Sequence, residues 1–252
     1  MNIKIKKNKT LNEGYIKGLK KAQRLINEML VQTQGFNNDI EGDSFSYNGK
    51  EEDVFNDKNL SLDERLLNAA ENDNTKGIRR ALIDGANVDA QDDYGWSALT
   101  FACNHGNDKA TQLLIDAGAD VNIKAKGSDT PIMRTCLLNQ QKCLELLIAA
   151  GADLETKDVE RWTPLMVACS YGYTGCIRLL IDAGVNLNSR SSEGWTALMV
   201  ATHYDFSNCV KMLIDAGAKL NIQNKIGDTA LSMAIANGRD KCAEVLISAG
   251  AR

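Results

Sequence analysis

Gly85, Gly118, Gly151, Gly184, Gly217 and Gly250 stand 33 residues apart, and each is followed by alanine or valine. Leu99, Ile132, Leu165, Leu198 and Leu231 keep the same spacing. No other feature of the sequence restricts the fold as strongly. Self-similarity at a fixed period of this size means one supersecondary unit stacked on copies of itself. A single unit of that length cannot bury its own apolar stripe, so stability has to come from the interface with its neighbours.

The remaining columns of the repeat each have a physical reason. Ser97, Thr130, Thr163, Thr196 and Thr229 place a hydroxyl where a first helix needs its N-cap. The two prolines of the chain, Pro131 and Pro164, follow that cap directly, where a missing N–H costs nothing. Asp73, Gly106, Asn139, Gly172, Asp205 and Gly238 fall between the two helices, and all belong to residue types that tolerate a left-handed backbone. The pairs Leu113-Leu114, Leu146-Leu147, Leu179-Leu180, Met212-Leu213 and Val245-Leu246 are expected to form the buried stripe of the second helix.

The clearest repeat reads Thr163-Pro164-Leu165-Met166-Val167-Ala168, then Leu179-Leu180-Ile181-Asp182-Ala183-Gly184. In motif and in period it resembles the ankyrin repeat family, from about Ser61 to the C-terminus. The resemblance implies an all-α solenoid of six helix-turn-helix repeats with short β-hairpin loops over residues 61–252; an N-terminal helix ahead of it is expected from the residues themselves. The family pattern has histidine after Thr-Pro-Leu. Thr100, Met133, Met166, Met199 and Ser232 stand there instead, so the histidine-to-threonine bonds that stiffen such stacks are not expected. At the first repeat Arg80 takes the column of Leu113, which reads as a polar cap; at the last, Ala243 stands where others have Leu144, Ile177 or Val210.

Ahead of the array, Leu11, Tyr15, Leu19, Ala22, Ile26, Met29 and Leu30 recur at helical spacing, with Lys17, Lys20, Lys21 and Arg24 off that stripe. Residues 1–32 are expected to form a basic amphipathic helix that docks on the array, binds a partner or recruits the chain to a membrane surface. Residues 33–60 are polar and acidic, with Asp39, Glu41, Asp43, Glu51, Glu52, Asp53 and Asp57, and are expected to be a flexible linker.

Composition excludes several functions. A formal net charge of -4 and a sequence pI near 5.3 give no global attraction to nucleic acid. No apolar run is long enough to span a membrane, and Met1–Thr10 lacks the apolar core of a secretory signal, so a cytoplasmic protein is expected. Seven cysteines, an odd number without paired metal-ligand spacing, fit reduced thiols. Cys103, Cys136 and Cys169 share one repeat position, and Cys143, Cys176, Cys209 and Cys242 another. Like positions in stacked helices sit roughly 8–10 Å apart, too far for a disulfide or a shared zinc within a column. His105 and His203 have no carboxylate and nucleophile set beside them. No phosphate loop or metal-binding motif is present, so neither catalysis nor a cofactor is expected.

Recognition is what remains. In the ankyrin family the concave face is built from the hairpin tips, the residue before the cap and the end of the first helix. By register, the resemblance assigns those columns to Tyr94, Trp96, His105, Leu137, Leu138, Trp162, Tyr171, Trp195, His203 and Tyr204. Tryptophan and tyrosine are enriched at binding hot spots. A tryptophan before the cap can equally serve its own hairpin by packing on it. The expected function is to hold a partner protein, with the chain itself a monomer and with Asp158, Glu160 and Glu193 as an acidic rim.

Overall fold

The structure is a computed structural model that describes residues 60–252. The expected helix of residues 1–32, and the expected linker of 33–60 except for Leu60, lie outside the described residues. Over the described residues the chain forms six helix-turn-helix pairs. They are α1 (Leu62–Glu71) with α2 (Thr75–Asp84), α3 (Ala98–His105) with α4 (Asp108–Asp116), and α5 (Pro131–Leu137) with α6 (Gln141–Ala149). Then follow α7 (Pro164–Ser170) with α8 (Thr174–Asp182), α9 (Ala197–His203) with α10 (Ser207–Asp215), and α11 (Ala230–Ala236) with α12 (Asp240–Ser248). First helices pack on first helices and second on second, each against the next repeat.

All six residues expected in the inter-helix turn are left-handed, with φ of 52° at Asp73, 72° at Gly106, 58° at Asn139, 71° at Gly172, 65° at Asp205 and 63° at Gly238. Gly172 has a second constraint, because a Cβ there would lie 2.6 Å from the Phe206 ring of the next repeat. The hydroxyl caps hold at Ser97, Thr163, Thr196 and Thr229, each accepting from the backbone N–H three residues on. Thr130 is the exception. It caps nothing through its side chain, and its buried hydroxyl has no partner. An unsatisfied buried polar group of this kind costs about 1–3 kcal/mol.

The core runs the length of the array. Leu99 and Ile132 are fully buried, and Leu165, Leu198 and Leu231 nearly so. In the second helices the expected paired stripe is corrected in part: Leu113 and Leu114 are both buried, and Leu147, Leu180, Leu213 and Leu246 fully so, while Leu146, Leu179, Met212 and Val245 are half-exposed. Helical geometry gives the reason, because the neighbour three residues back shares the buried face and the adjacent residue does not. Leu144, Ile177 and Val210 therefore complete the stripe, all at zero exposure. The last repeat leaves Ile235 65% exposed, whereas Cys136, Cys169 and Thr202 in the same column are fully covered by the repeat that follows.

Between repeats the chain makes hairpins rather than strands. An isolated bridge joins Gln91 and Ser97, and among the described residues no strand forms. Four of these hairpins carry a side-chain acceptor in one repeat column. Asp92 accepts from the amides of Tyr94 and Trp96, Asp158 from those of Glu160 and Trp162, and Asn224 from those of Ile226 and Asp228. Ser191 accepts from Trp195 alone. The third hairpin has Ala125 in this position and no brace.

A further ladder ties each repeat to the next. Asp89, Asn122, Glu155, Asn188 and Asn221 accept the backbone N–H of Asp120, Asp153, Asn186, Lys219 and Arg252 at 2.7–2.9 Å. At the N-terminal end Asp63 does the same for Asn87 at 2.7 Å. Ser61 opens α1 with a reciprocal capping box to Glu64, which holds the Glu64 carboxyl below its usual range.

Candidate functional site

The ten residues expected to face a partner are spread along the hairpins and first helices of repeats two to five, and they fall into three environments. The tryptophans are half-buried. Trp96 is wedged between the edge of Phe101, with ring centroids 5.1 Å apart, and the Arg134 guanidinium, 4.8 Å from the indole centroid. Trp162 and Trp195 pack on the core. The indoles are thus partly engaged by neighbouring side chains, and each ring stays partly exposed.

The ends of the first helices are more open. Leu138, Tyr171 and Tyr204 are 40%, 50% and 48% exposed, and they occupy one repeat column together with the exposed His105. Tyr171 stacks on Tyr173 at 5.5 Å, which fixes its ring. Leu137 is half-buried beside Leu138. Trp195, His203 and Tyr204 meet edge to face in a chain, at 5.1 and 5.0 Å between successive centroids. That chain carries the surface from the hairpin to the far end of α9. His105 is tied instead to its own helix, Nδ1 lying 3.0 Å from the Phe101 carbonyl oxygen. Tyr94 stands apart at a hairpin tip, 74% exposed.

Arg134 escaped the sequence reading. It holds Asn104 of the preceding repeat by Nε at 3.0 Å and by a second guanidinium nitrogen at 2.6 Å, and Asp129 at 3.4 Å, while it covers Trp96. Hairpin and helix end thus become one surface between the second and third repeats. A charge in the column that elsewhere holds Phe101, Val167, Val200 and Met233 was the available signal. Tyr173, the platform under Tyr171, was also missed, as were the hairpin residues Val159 and Ile226, which are 74% and 81% exposed.

The three residues of the expected acidic rim sit in different surroundings. The Asp158 carboxylate is occupied by two hairpin amides, and Glu193 pairs with Lys225 at 3.6 Å. Glu160 is exposed without such a partner.

All seven thiols are free and buried. Burial raises the pKa of each, to about 11 at Cys176 and Cys209 and about 12 at Cys242. The two columns meet across the repeat boundary: the Thr111 hydroxyl lies 3.9 Å from Cys103 Sγ and donates to Cys143 Sγ at 3.4 Å. Cys176 and Cys242 donate to Asn139 and Asp205, the left-handed turn residues of the repeat before. Among the described residues no His, Cys, Asp and Glu cluster fits a metal ion. An open groove of about 420 Å³ on the second-helix side, between Arg79, Asp108, Lys109, Gln112 and Lys142, mixes both charge signs. Among the described residues no helix is long and apolar enough to cross a membrane.

Paired helices stacked in register, with a first-helix face left open beside projecting hairpins, define a helical repeat protein of the solenoid class. The chain belongs to the ankyrin repeat family, whose repeats match residues 66–158, 132–224 and 190–252. Solved structures agree. An ankyrin repeat domain from Acinetobacter baumannii AYE is 35% identical, with a TM-score of 0.70 over 74% of this chain and 98% of that one. The human ASB11 ankyrin repeat domain is 26% identical, with a TM-score of 0.67 over 74% of this chain and 84% of that one. Among curated proteins, the mitochondrial disaggregases of Bos taurus and Homo sapiens are each 41% identical, over 63 and 61 residues. Those matches span 25% and 24% of this chain and only 9% of each disaggregase. Ankyrin repeats are in general protein–protein interaction modules, and the fold is typically non-enzymatic.

Proposed function

We propose that this chain is a non-catalytic binding module that holds a partner protein on the face made by its hairpins and first helices, as a scaffold or as an inhibitor that acts by occupancy. The observation that carries the reading is the column Leu138, Tyr171 and Tyr204, about half exposed in three successive repeats. A soluble fold has no packing use for large apolar side chains left open in a row, and such patches mark interaction surfaces. The second-helix side offers a mixed-charge groove, and its apolar row Leu179, Met212 and Val245 is less exposed and packs against the core. The array needs no cofactor for this role.

The test is co-purification of the full chain from native lysate, beside its Tyr171→Ala/Tyr204→Ala variant. The expected result is a protein captured at fixed stoichiometry by the parent chain and lost from the variant, with melting temperatures within a few degrees of each other. Capture that survives both substitutions would remove the first-helix face from the account.

A further inference from the structure

The described residues are acidic as a whole, with 24 Asp and Glu against 19 Lys and Arg. The edge formed by the third and fourth hairpins, residues 124–129 and 157–162, has the opposite character. Lys124, Lys126 and Arg161 are exposed and Lys157 half-buried, and among the described residues none of the four is in an ion pair. The carboxylates of the same hairpins are mostly committed. Asp129 lies on Arg134 at 3.4 Å, and Asp158 accepts the amides of Glu160 and Trp162 at 2.9 and 2.7 Å. Glu160 is left against four cations.

Arg161 adds a second oddity. It holds a left-handed φ of 63° at the position that the second, fifth and sixth hairpins give to Gly95, Gly194 and Gly227. Glycine is the residue that backbone asks for, and here a cation takes its place. The same two repeats supply apolar surface: Val159 at the fourth hairpin, and Leu138 and Tyr171 at the ends of α5 and α7. The Arg134 network joins the third hairpin, through Asp129, to the first helix of the third repeat and to Asn104 of the repeat before.

We propose that the third and fourth repeats bind an acidic protein segment that carries apolar anchors. Its carboxylates meet Lys124, Lys126, Lys157 and Arg161, and an aromatic or aliphatic side chain rests on Leu138 and Tyr171. The proposal rests on the reading of this face as the partner-binding one and gives that partner its charge. Complementary charge at a solvent-exposed rim sets partner choice and association rate, and it weakens with salt over a screening length of about 10 Å at 0.1 M.

The test uses the full chain and two synthetic peptides of about fifteen residues, one alternating glutamate with phenylalanine and leucine, the other with lysine in place of every glutamate. Affinity is read from the fluorescence of the three tryptophans, at low and at physiological salt. The expected result is about tenfold or tighter binding of the acidic peptide, weakened by salt. Lys126→Glu/Arg161→Glu should abolish that preference with the melting temperature retained, and Leu138→Ala/Tyr171→Ala should weaken binding. Equal or tighter binding of the basic peptide, or an acidic preference untouched by Lys126→Glu/Arg161→Glu, overturns the proposal. So does failure to bind either peptide, while the capture experiment above decides the wider reading separately. Acidic-peptide binding that emerges only after Glu51, Glu52 and Asp53 are changed to lysine assigns the face to the chain's own acidic stretch, and that also overturns it.

Discussion

Ala125→Asp should make the protein more stable, although it adds a carboxylate to a chain that is already acidic. In the second, fourth and sixth hairpins the residue in this position accepts two backbone amides, two and four residues on, at 2.7–3.1 Å. In the third hairpin those donors are Gly127 and Asp129, and their amides make no backbone hydrogen bond. Hydrogen bonds to a charged acceptor contribute about 1.5–3 kcal/mol when well placed and less at an exposed hairpin, so two of them are worth about 1–3 kcal/mol. For an array of this size that is a rise of roughly 2–10 °C in melting temperature. Ala125 is 7% exposed and Asn224, in the same column, 6%, so this column holds a larger polar side chain at equal burial. The assay is thermal and urea denaturation of the full chain beside Asp158→Ala, which should lose a similar amount by removing the same brace one repeat later. A lower melting temperature in Ala125→Asp, or no loss in Asp158→Ala, would refute the reasoning that one side chain per hairpin sets its stability.

Other outcomes follow from the same contacts. Trp162→Ala removes a ring packed on the core and should cost about 2 kcal/mol or more, whereas the half-exposed Tyr204 should cost less than about 1 kcal/mol on truncation, both read from urea midpoints. Glu155→Ala breaks bonds to the Asn186 amide at 2.7 Å and the Ser189 hydroxyl at 2.6 Å and should cost about 1–2 kcal/mol in the same assay. The thiols should react with a maleimide at pH 8 only after denaturation, and rapid labelling of Cys103 or Cys169 in the native protein would contradict their burial. Because their folded pKa lies above the unfolded value of 9.0, their contribution is complete below pH 9 and is lost progressively above it. Denaturation midpoints should therefore fall as pH rises past about 9.

The repeat was legible because its requirements are local. A left-handed turn restricts residue type, and the positive φ at Asp73, Asn139 and Asp205 was readable from the residues alone. The 33-residue ladder of Asp89, Asn122, Glu155, Asn188 and Asn221 was equally present in the sequence. It passed unread because a polar residue in a loop resembles any solvated one until its partner amide is placed beside it. Thr130 shows a different limit. Its letter fits the cap column, yet its hydroxyl makes no cap bond, because residue type alone does not set the local geometry. At the site, register located Leu138, Tyr171 and Tyr204, and it also gave the tryptophan column. How far those indoles are buried depends on neighbours from other repeats, such as Arg134 over Trp96. The surroundings of the expected acidic rim were hidden for the same reason, since the Asp158 carboxylate meets backbone donors that composition does not reveal.

Hydrogen exchange of the full chain, with and without a partner captured at fixed stoichiometry, tests the central claim most directly. Bound partner should slow exchange at the third to fifth hairpins and at the C-terminal ends of α5, α7 and α9, and leave α4, α6 and α8 as they are in the free chain. Protection confined to the second helices, over the groove between Arg79, Lys109 and Lys142, would place recognition on the opposite side of the array and contradict the account.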